Sequence, residues 1–154
     1  MSDTRPLTNR FLLPPTLSAP RLARQRVAAV CSELGADEAA VAELLTGELT
    51  TNAVLHPEHA ADGLEPAILV EITLTERLLR VEVSDHDSHP LPPVRAPEAP
   101  GESGLGLHLV SQLSAAWGSY SQASGEGKVV WFEMAIDAQD RAVQDPCRDG
   151  QGGQ

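Results

Sequence analysis

Two alternating segments constrain this chain most. From Ala67 to Thr75 the apolar residues Ile68, Val70, Ile72 and Leu74 fall on one face, and from Leu79 to Val83 so do Leu79, Val81 and Val83. Glu76-Arg77 lies between them, which predicts a tight antiparallel hairpin. A hairpin with one apolar face is not stable alone in water, so the rest of the chain must cover that face. Three helical patterns can do so. Ser18 to Leu34 reads as a helix with Ser18 as cap, Pro20 in the first turn and Gly35 after its end. Leu22, Arg26 and Ala29 share one side of it; Ala23, Val27, Val30, Cys31 and Leu34 share the other, the expected core face. A second helix starts at Asp37 and stops near His56-Pro57, and a third runs from about Leu105 to Ala116. Phe11-Leu12-Leu13, stopped by Pro14-Pro15, reads as an edge strand. Trp117 to Gln122 and Val129 to Ile136 read as a further hairpin, with both tryptophans expected in the core. The order predicts an α/β (α+β) two-layer sandwich: a mixed, mostly antiparallel sheet with helices on one face.

The second helix carries an anomaly. Asp37 is a good N-cap, Glu38 sits in the first turn, and Val41, Leu44, Leu45, Leu49 and Ala53 form an apolar stripe. Glu48 and Asn52 fall within that stripe, four residues apart and therefore side by side. A carboxylate there is costly unless it is paired, hydrated or bound to a ligand. Such a pair is either a locally satisfied edge of the stripe, or an acid/base or metal ligand lining a cavity.

Composition narrows the classes. At 154 residues the chain has room for one real core. A formal net charge of −11 argues against direct nucleic-acid binding through the general surface. Cys31 lies in an apolar helical pattern and Cys147 in a polar tail, so a reducing cytoplasm is expected rather than a disulfide. The sequence shows no signal-peptide order and no apolar run of membrane-spanning length. Residues 1–10 are expected to be flexible, 11–136 to form the domain, and 137–154 to be a disordered tail.

Two further segments can carry chemistry. Gly101-Glu102-Ser103-Gly104-Leu105-Gly106-Leu107 opens the third helix. Its glycines permit close backbone approach, and free N–H groups at a helix start point at anions. Taken alone, glycines in that place more often make a simple cap. No Gly-Lys-Ser/Thr follows, and a proline-rich stretch rather than a strand precedes it, so it is neither a Walker A loop nor a dinucleotide fingerprint. Asp85 closes the second hairpin strand, where a carboxylate can accept from an exocyclic amine or simply make a turn. From about 86 to 103 the chain is aperiodic and rich in proline, which predicts a lid.

Taken in order, these pieces resemble the ATP-binding fold shared by gyrase and histidine kinases, the GHKL or Bergerat fold. Glu48 and Asn52 match its N box, Asp85 its adenine-contacting aspartate, and Gly104 and Gly106 its second glycine box. The chain is most similar to the bacterial anti-sigma factor serine kinases and their single-domain relatives. Glu48-Leu49-Thr50-Thr51-Asn52-Ala53-Val54-Leu55-His56, Asp85 with Pro90 and Pro93, Glu102 to Leu107, Trp117-Gly118 and Gly127 to Glu133 carry that likeness over roughly residues 11–136.

The resemblance implies a function and a set of roles. The activity would be transfer of the γ-phosphate of Mg-ATP to a serine of an anti-sigma factor antagonist of the STAS type. Its partner switching would regulate a sigma factor, and the family's habit would make it a homodimer. Asn52 would coordinate Mg²⁺, Glu48 would act as general base or orient the serine hydroxyl, and Asp85 would accept from the adenine amine. Gly101, Ser103, Gly104, Leu105, Gly106 and Leu107 would close over the phosphates. Phosphoryl transfer needs positioning and charge neutralisation more than covalent chemistry, and magnesium suits oxygen ligands, so the residue types agree.

Two features depart from the family. Asp87 and His89 stand where the first glycine box has glycines, and Val129 is aligned with a threonine near the adenine aspartate. These departures keep open a non-catalytic, nucleotide-dependent binding module of the same fold. A zinc-dependent hydrolase is the third reading, from His56 and His59 and from His86 and His89 around Asp87. No cysteine joins those histidines, and Pro57 breaks the helical spacing of the first pair.

Overall fold

The computed structural model describes residues 5–55, 67–86, 91, 105–123, 125 and 127–137. Eight elements follow in chain order: β1 (Leu7–Leu13), α1 (Ala19–Val30), α2 (Ala36–Leu55), β2 (Ile68–Leu74), β3 (Leu78–Asp85), α3 (Leu105–Leu113), β4 (Ala116–Ser121) and β5 (Lys128–Ala135). The strands form one five-stranded sheet in the order β1-β2-β3-β5-β4, and every pairing in it is antiparallel. The element order is the expected one, and the mixed sheet of the expectation is here wholly antiparallel.

The hairpin that the alternation demands is present. Leu74 pairs with Leu79, and the Thr75 N–H donates to the Leu78 carbonyl at 2.9 Å, closing the turn over Glu76-Arg77. Ile68, Val70, Ile72, Leu79, Val81 and Val83 are all buried. They meet Val130, Phe132 and Met134 of β5 and the inner faces of the helices in one core cluster. Strand β1 begins at Leu7, four residues before Phe11, because the polar residues Thr8 to Arg10 also pair with β2. Pairing therefore reaches into the segment expected to be flexible.

Helix α1 buries Ala19, Ala23 and Val27, with Cys31 and Leu34 continuing the same side just past its end. Ser18 stands at the N-cap, but its hydroxyl meets Thr16 Oγ1 at 2.7 Å and makes no cap bond. Helix α2 starts one residue before Asp37, so Asp37 and Glu38 both lie in its first turn, where they favour the helix dipole. Its buried residues are Ala42, Leu45, Thr46, Gly47, Leu49, Thr50, Ala53 and Val54, while Leu44 is 40% exposed. The buried stripe is thus rotated from the predicted one and widened by two threonines and a glycine. Thr50 tolerates burial because its hydroxyl donates to the Thr46 carbonyl at 2.7 Å.

The other sheet face carries polar side chains. Arg80 on β3 bonds Glu82 at 2.8 Å and Glu133 of β5 at 2.6 Å. Its guanidinium lies 4.2 Å from the centre of the Trp131 ring, a cation–π contact. Gly118 opposite makes room, since a Cβ there would meet that ring at 3.1 Å. Trp131 is therefore an outer-face residue, not the core residue expected, whereas Trp117 packs against the core.

Candidate functional site

Helix α2 presents Glu48 and Asn52 one turn apart on its flank, both half-buried. They do not sit at the centre of the stripe: the neighbours Leu49, Thr50 and Ala53 take the core, leaving these two at its edge. That position keeps the carboxylate within reach of water, which lowers the cost of placing it beside the core. The start of α3 lies directly against Glu48. A Cβ on Gly106 would come within 2.5 Å of Glu48 Oε2, so glycine lets this backbone and the carboxylate meet without displacing that side chain. Gly106 is the second residue of α3, within the turn whose N–H groups have no helical acceptor. The Glu48 carboxylate and the first turn of α3 thus meet between α2 and α3, with Asn52 one turn along α2. Leu107 follows and is buried in the core, anchoring that first turn.

Asp85 ends β3 and is 6% exposed, on the same face as Val81 and Val83. A carboxylate buried to this degree needs compensation. Lys128, the first residue of β5, is its cross-strand partner and supplies it: Nζ lies 3.2 Å from Oδ2 and 3.4 Å from Oδ1. Both side chains are nearly buried, at 13% exposure for Lys128 and 8% for Asp85. The backbone there is held as well. Gln122 Nε2 donates to the Asp85 carbonyl at 2.7 Å. Gly127 has φ of +93°, and a Cβ on it would run into that same carbonyl. The β4–β5 loop therefore fixes Asp85 through backbone and side chain together.

The profile of the histidine kinase-like ATPase domain matches residues 13–134. The chain belongs to that family. The match runs from the last residue of β1 to the penultimate residue of β5, so the fold of a histidine kinase-like ATPase is that of this sheet and its helices. No curated protein sequence matches the chain. No helix among the described residues is long and apolar enough to cross a membrane.

The structure brings Glu48 against Gly106 at the α2–α3 contact, with Asn52 one turn along α2 and Leu107 next to Gly106 in α3, and places Asp85 at the end of β3. Gly101, Ser103 and Gly104 lie outside the described residues, as does the side chain of Leu105 and, apart from His86 and Leu91, the expected lid. His56, His59, Asp87 and His89 lie outside them too, and His86 is exposed. Among the described residues no group of three or more histidines, cysteines and carboxylates could hold a metal.

One alignment is corrected. Val129 pairs with Ser84 and with Tyr120 on the outer face of the sheet, so it does not border the Asp85 side chain. The position that does is Lys128, which the sequence reading did not single out; Gln122 and Gly127 were also missed as its supports. Alternation would have found Lys128, because it stands in phase with the inward Val130, Phe132 and Met134.

Proposed function

We propose that this histidine kinase-like ATPase domain is a serine protein kinase of the anti-sigma factor type. It would use Mg-ATP to phosphorylate a serine of a small STAS-type antagonist, and it would regulate a sigma factor by exchanging one partner for the other. The contact that carries the reading is Glu48 against Gly106: a carboxylate beside the first turn of a helix, where N–H groups have no acceptor within the helix and can donate to phosphate. A silent binder needs the helix start but has no use for an acid pressed against it.

The residues present fit both groups. Asn52 offers an amide oxygen beside a carboxylate, the hard oxygen donors that magnesium prefers while keeping several waters. Magnesium, when bound with ATP, would neutralise charge on the phosphates. Asn52 would hold that ion from α2, one turn from Glu48. Glu48 would accept the hydroxyl proton of the incoming serine, or orient that hydroxyl toward the γ-phosphate. The backbone at Gly106 would donate to phosphate oxygens as the segment before it closes. Asp85 would stand at the far side and accept from the base.

A second reading is favoured by one observation. Lys128 occupies Asp85 as an ion pair, which changes the base end of the pocket relative to an aspartate standing alone. That suits a nucleotide-dependent protein binder with little or no transfer. The two readings separate on incubation with Mg²⁺, γ-labelled ATP and candidate antagonists from the same genome. Transfer that disappears in both Glu48→Ala and Asn52→Ala is the outcome expected for the kinase. ATP binding without transfer to any candidate would establish the binder instead, and no ATP binding at millimolar concentration would remove both.

A further inference from the structure

We propose that Lys128 and Asp85 together read position 6 of the purine, so that the site accepts 6-oxopurine nucleotides as well as adenine nucleotides. The inference rests on the nucleotide-binding reading and deepens it. Its starting point is the cross-strand pair itself: Nζ of Lys128 within 3.2 Å of Asp85 Oδ2 and 3.4 Å of Oδ1, on the inner face of the sheet.

An ionised carboxylate is an acceptor only. Standing alone at the base end of a pocket, it selects a purine with an amine at position 6. A keto oxygen there would set acceptor against acceptor, and buried polar groups left unpaired are the strongest basis of rejection. Lys128 changes that field. An ammonium carries three rotatable donors on a flexible stem and no acceptor. Placed against the carboxylate, it cancels the repulsion of a keto oxygen and can donate to it. The two side chains then present a donor and an acceptor side by side.

That pair matches two base edges. Adenine offers its 6-amine to the carboxylate and its N1 acceptor to the ammonium. Hypoxanthine and guanine offer the reverse order, an O6 acceptor to the ammonium and an N1–H donor to the carboxylate. With Asp85 held in place, the second edge is met when the base slides by one ring position and the ammonium, on its flexible stem, moves from the N1 side of the carboxylate to the position 6 side. The support beneath the pair is rigid: Gln122 and Gly127 hold the Asp85 backbone, so the adaptation falls to Lys128.

The test compares ATP with inosine triphosphate, which differs only at the 6-position edge, by equilibrium binding with Mg²⁺ present. The full chain and its Lys128→Met variant are both measured, and the ratio of the two affinities is read within each protein. A ratio is insensitive to the fraction of variant that folds. The wild-type protein should hold inosine triphosphate within about tenfold of ATP, and Lys128→Met should worsen that ratio by about tenfold or more. Discrimination by the wild-type protein beyond that range would overturn the inference, with no appeal to the variant. An unchanged ratio in Lys128→Met would overturn it as well. In either case ATP still binds and the nucleotide-binding reading stands. Failure of both nucleotides to bind would instead remove that reading, and the inference with it.

Discussion

Gly106 shows how little room the site leaves at the residue scale. A Cβ there would lie 2.5 Å from Glu48 Oε2, well inside van der Waals contact. The atom it meets is the free end of a flexible side chain, so Gly106→Ala should be relieved by a swing of the carboxylate rather than by unfolding. Alanine is also the better helix former, by up to about 1 kcal/mol. The variant is therefore expected to melt within a few degrees of the wild type. On the proposed kinase reading its phosphotransfer should suffer, because a displacement of about 1 Å in a positioning group can cost on the order of a hundredfold. Thermal melts and labelled phosphotransfer, measured side by side, check this. A large loss of melting temperature would assign Gly106 to folding instead. Glu48 and Asn52 themselves were legible in the sequence because two polar groups interrupted an apolar periodicity. What the periodicity could not show is that they stand at the flank. Helix α2 carries apolar residues nearly all round, at Ala39, Val41, Leu44 and Leu45, so its phase against the core is ambiguous until α1 and α3 are in place.

Strand β5 poses the same ambiguity at the scale of an element, and the structure resolves it. Val129-Val130-Trp131-Phe132 is a continuous apolar run, so the run alone does not say which residues face the helices. Glu133 and Met134 set the phase: outward with Glu133 go Trp131 and Val129, inward with Met134 go Phe132, Val130 and Lys128. Outer-face Val129 is nonetheless buried, at 6% exposure. Its β4 partner Tyr120 crosses β5 and donates its hydroxyl to Glu82 Oε1 of β3 at 3.1 Å. Partial burial and the negative charge of Glu82 both disfavour the phenolate, so the Tyr120 pKa stands above its ordinary value. Tyr120 is the single tyrosine of the chain, so absorbance at the phenolate band reports it alone. Its titration midpoint is expected above about 10, the ordinary value, and should fall toward it in Glu82→Gln. The sign for stability follows. A folded-state pKa raised above the unfolded one contributes stability that is complete below about pH 10 and is lost as pH rises through the folded value. A midpoint that ignores Glu82→Gln would remove the strand-crossing bond as its cause.

At the scale of the whole molecule, Glu48, Asn52, Asp85 and Lys128 stand on one core without being part of its apolar cluster. The first strand, both hairpins and all three helices contribute to a single buried cluster, with Phe132 its largest fully buried side chain. Phe132 pairs with Val81 on one side and Trp117 on the other, at the middle of β5. Glu48 and Asn52 stand on the flank of α2, and Asp85 and Lys128 at the sheet's end, each four residues along its strand from Val81 and Phe132. This arrangement predicts that core stability and ligand stabilisation add independently. Phe132→Ala should lower the unfolding free energy by about 3–5 kcal/mol, a large part of the roughly 5–15 kcal/mol that a domain has. Mg-ATP at a hundred times its dissociation constant should raise stability by about 2.7 kcal/mol in wild type and variant alike. Denaturant unfolding of both proteins, with and without nucleotide, measures the four values. Equal increments within about 0.5 kcal/mol are expected for sites with no shared partners. A smaller increment in Phe132→Ala would mean that the core sets the geometry of the site, through the β3–β5 pairing that carries Asp85 and Lys128.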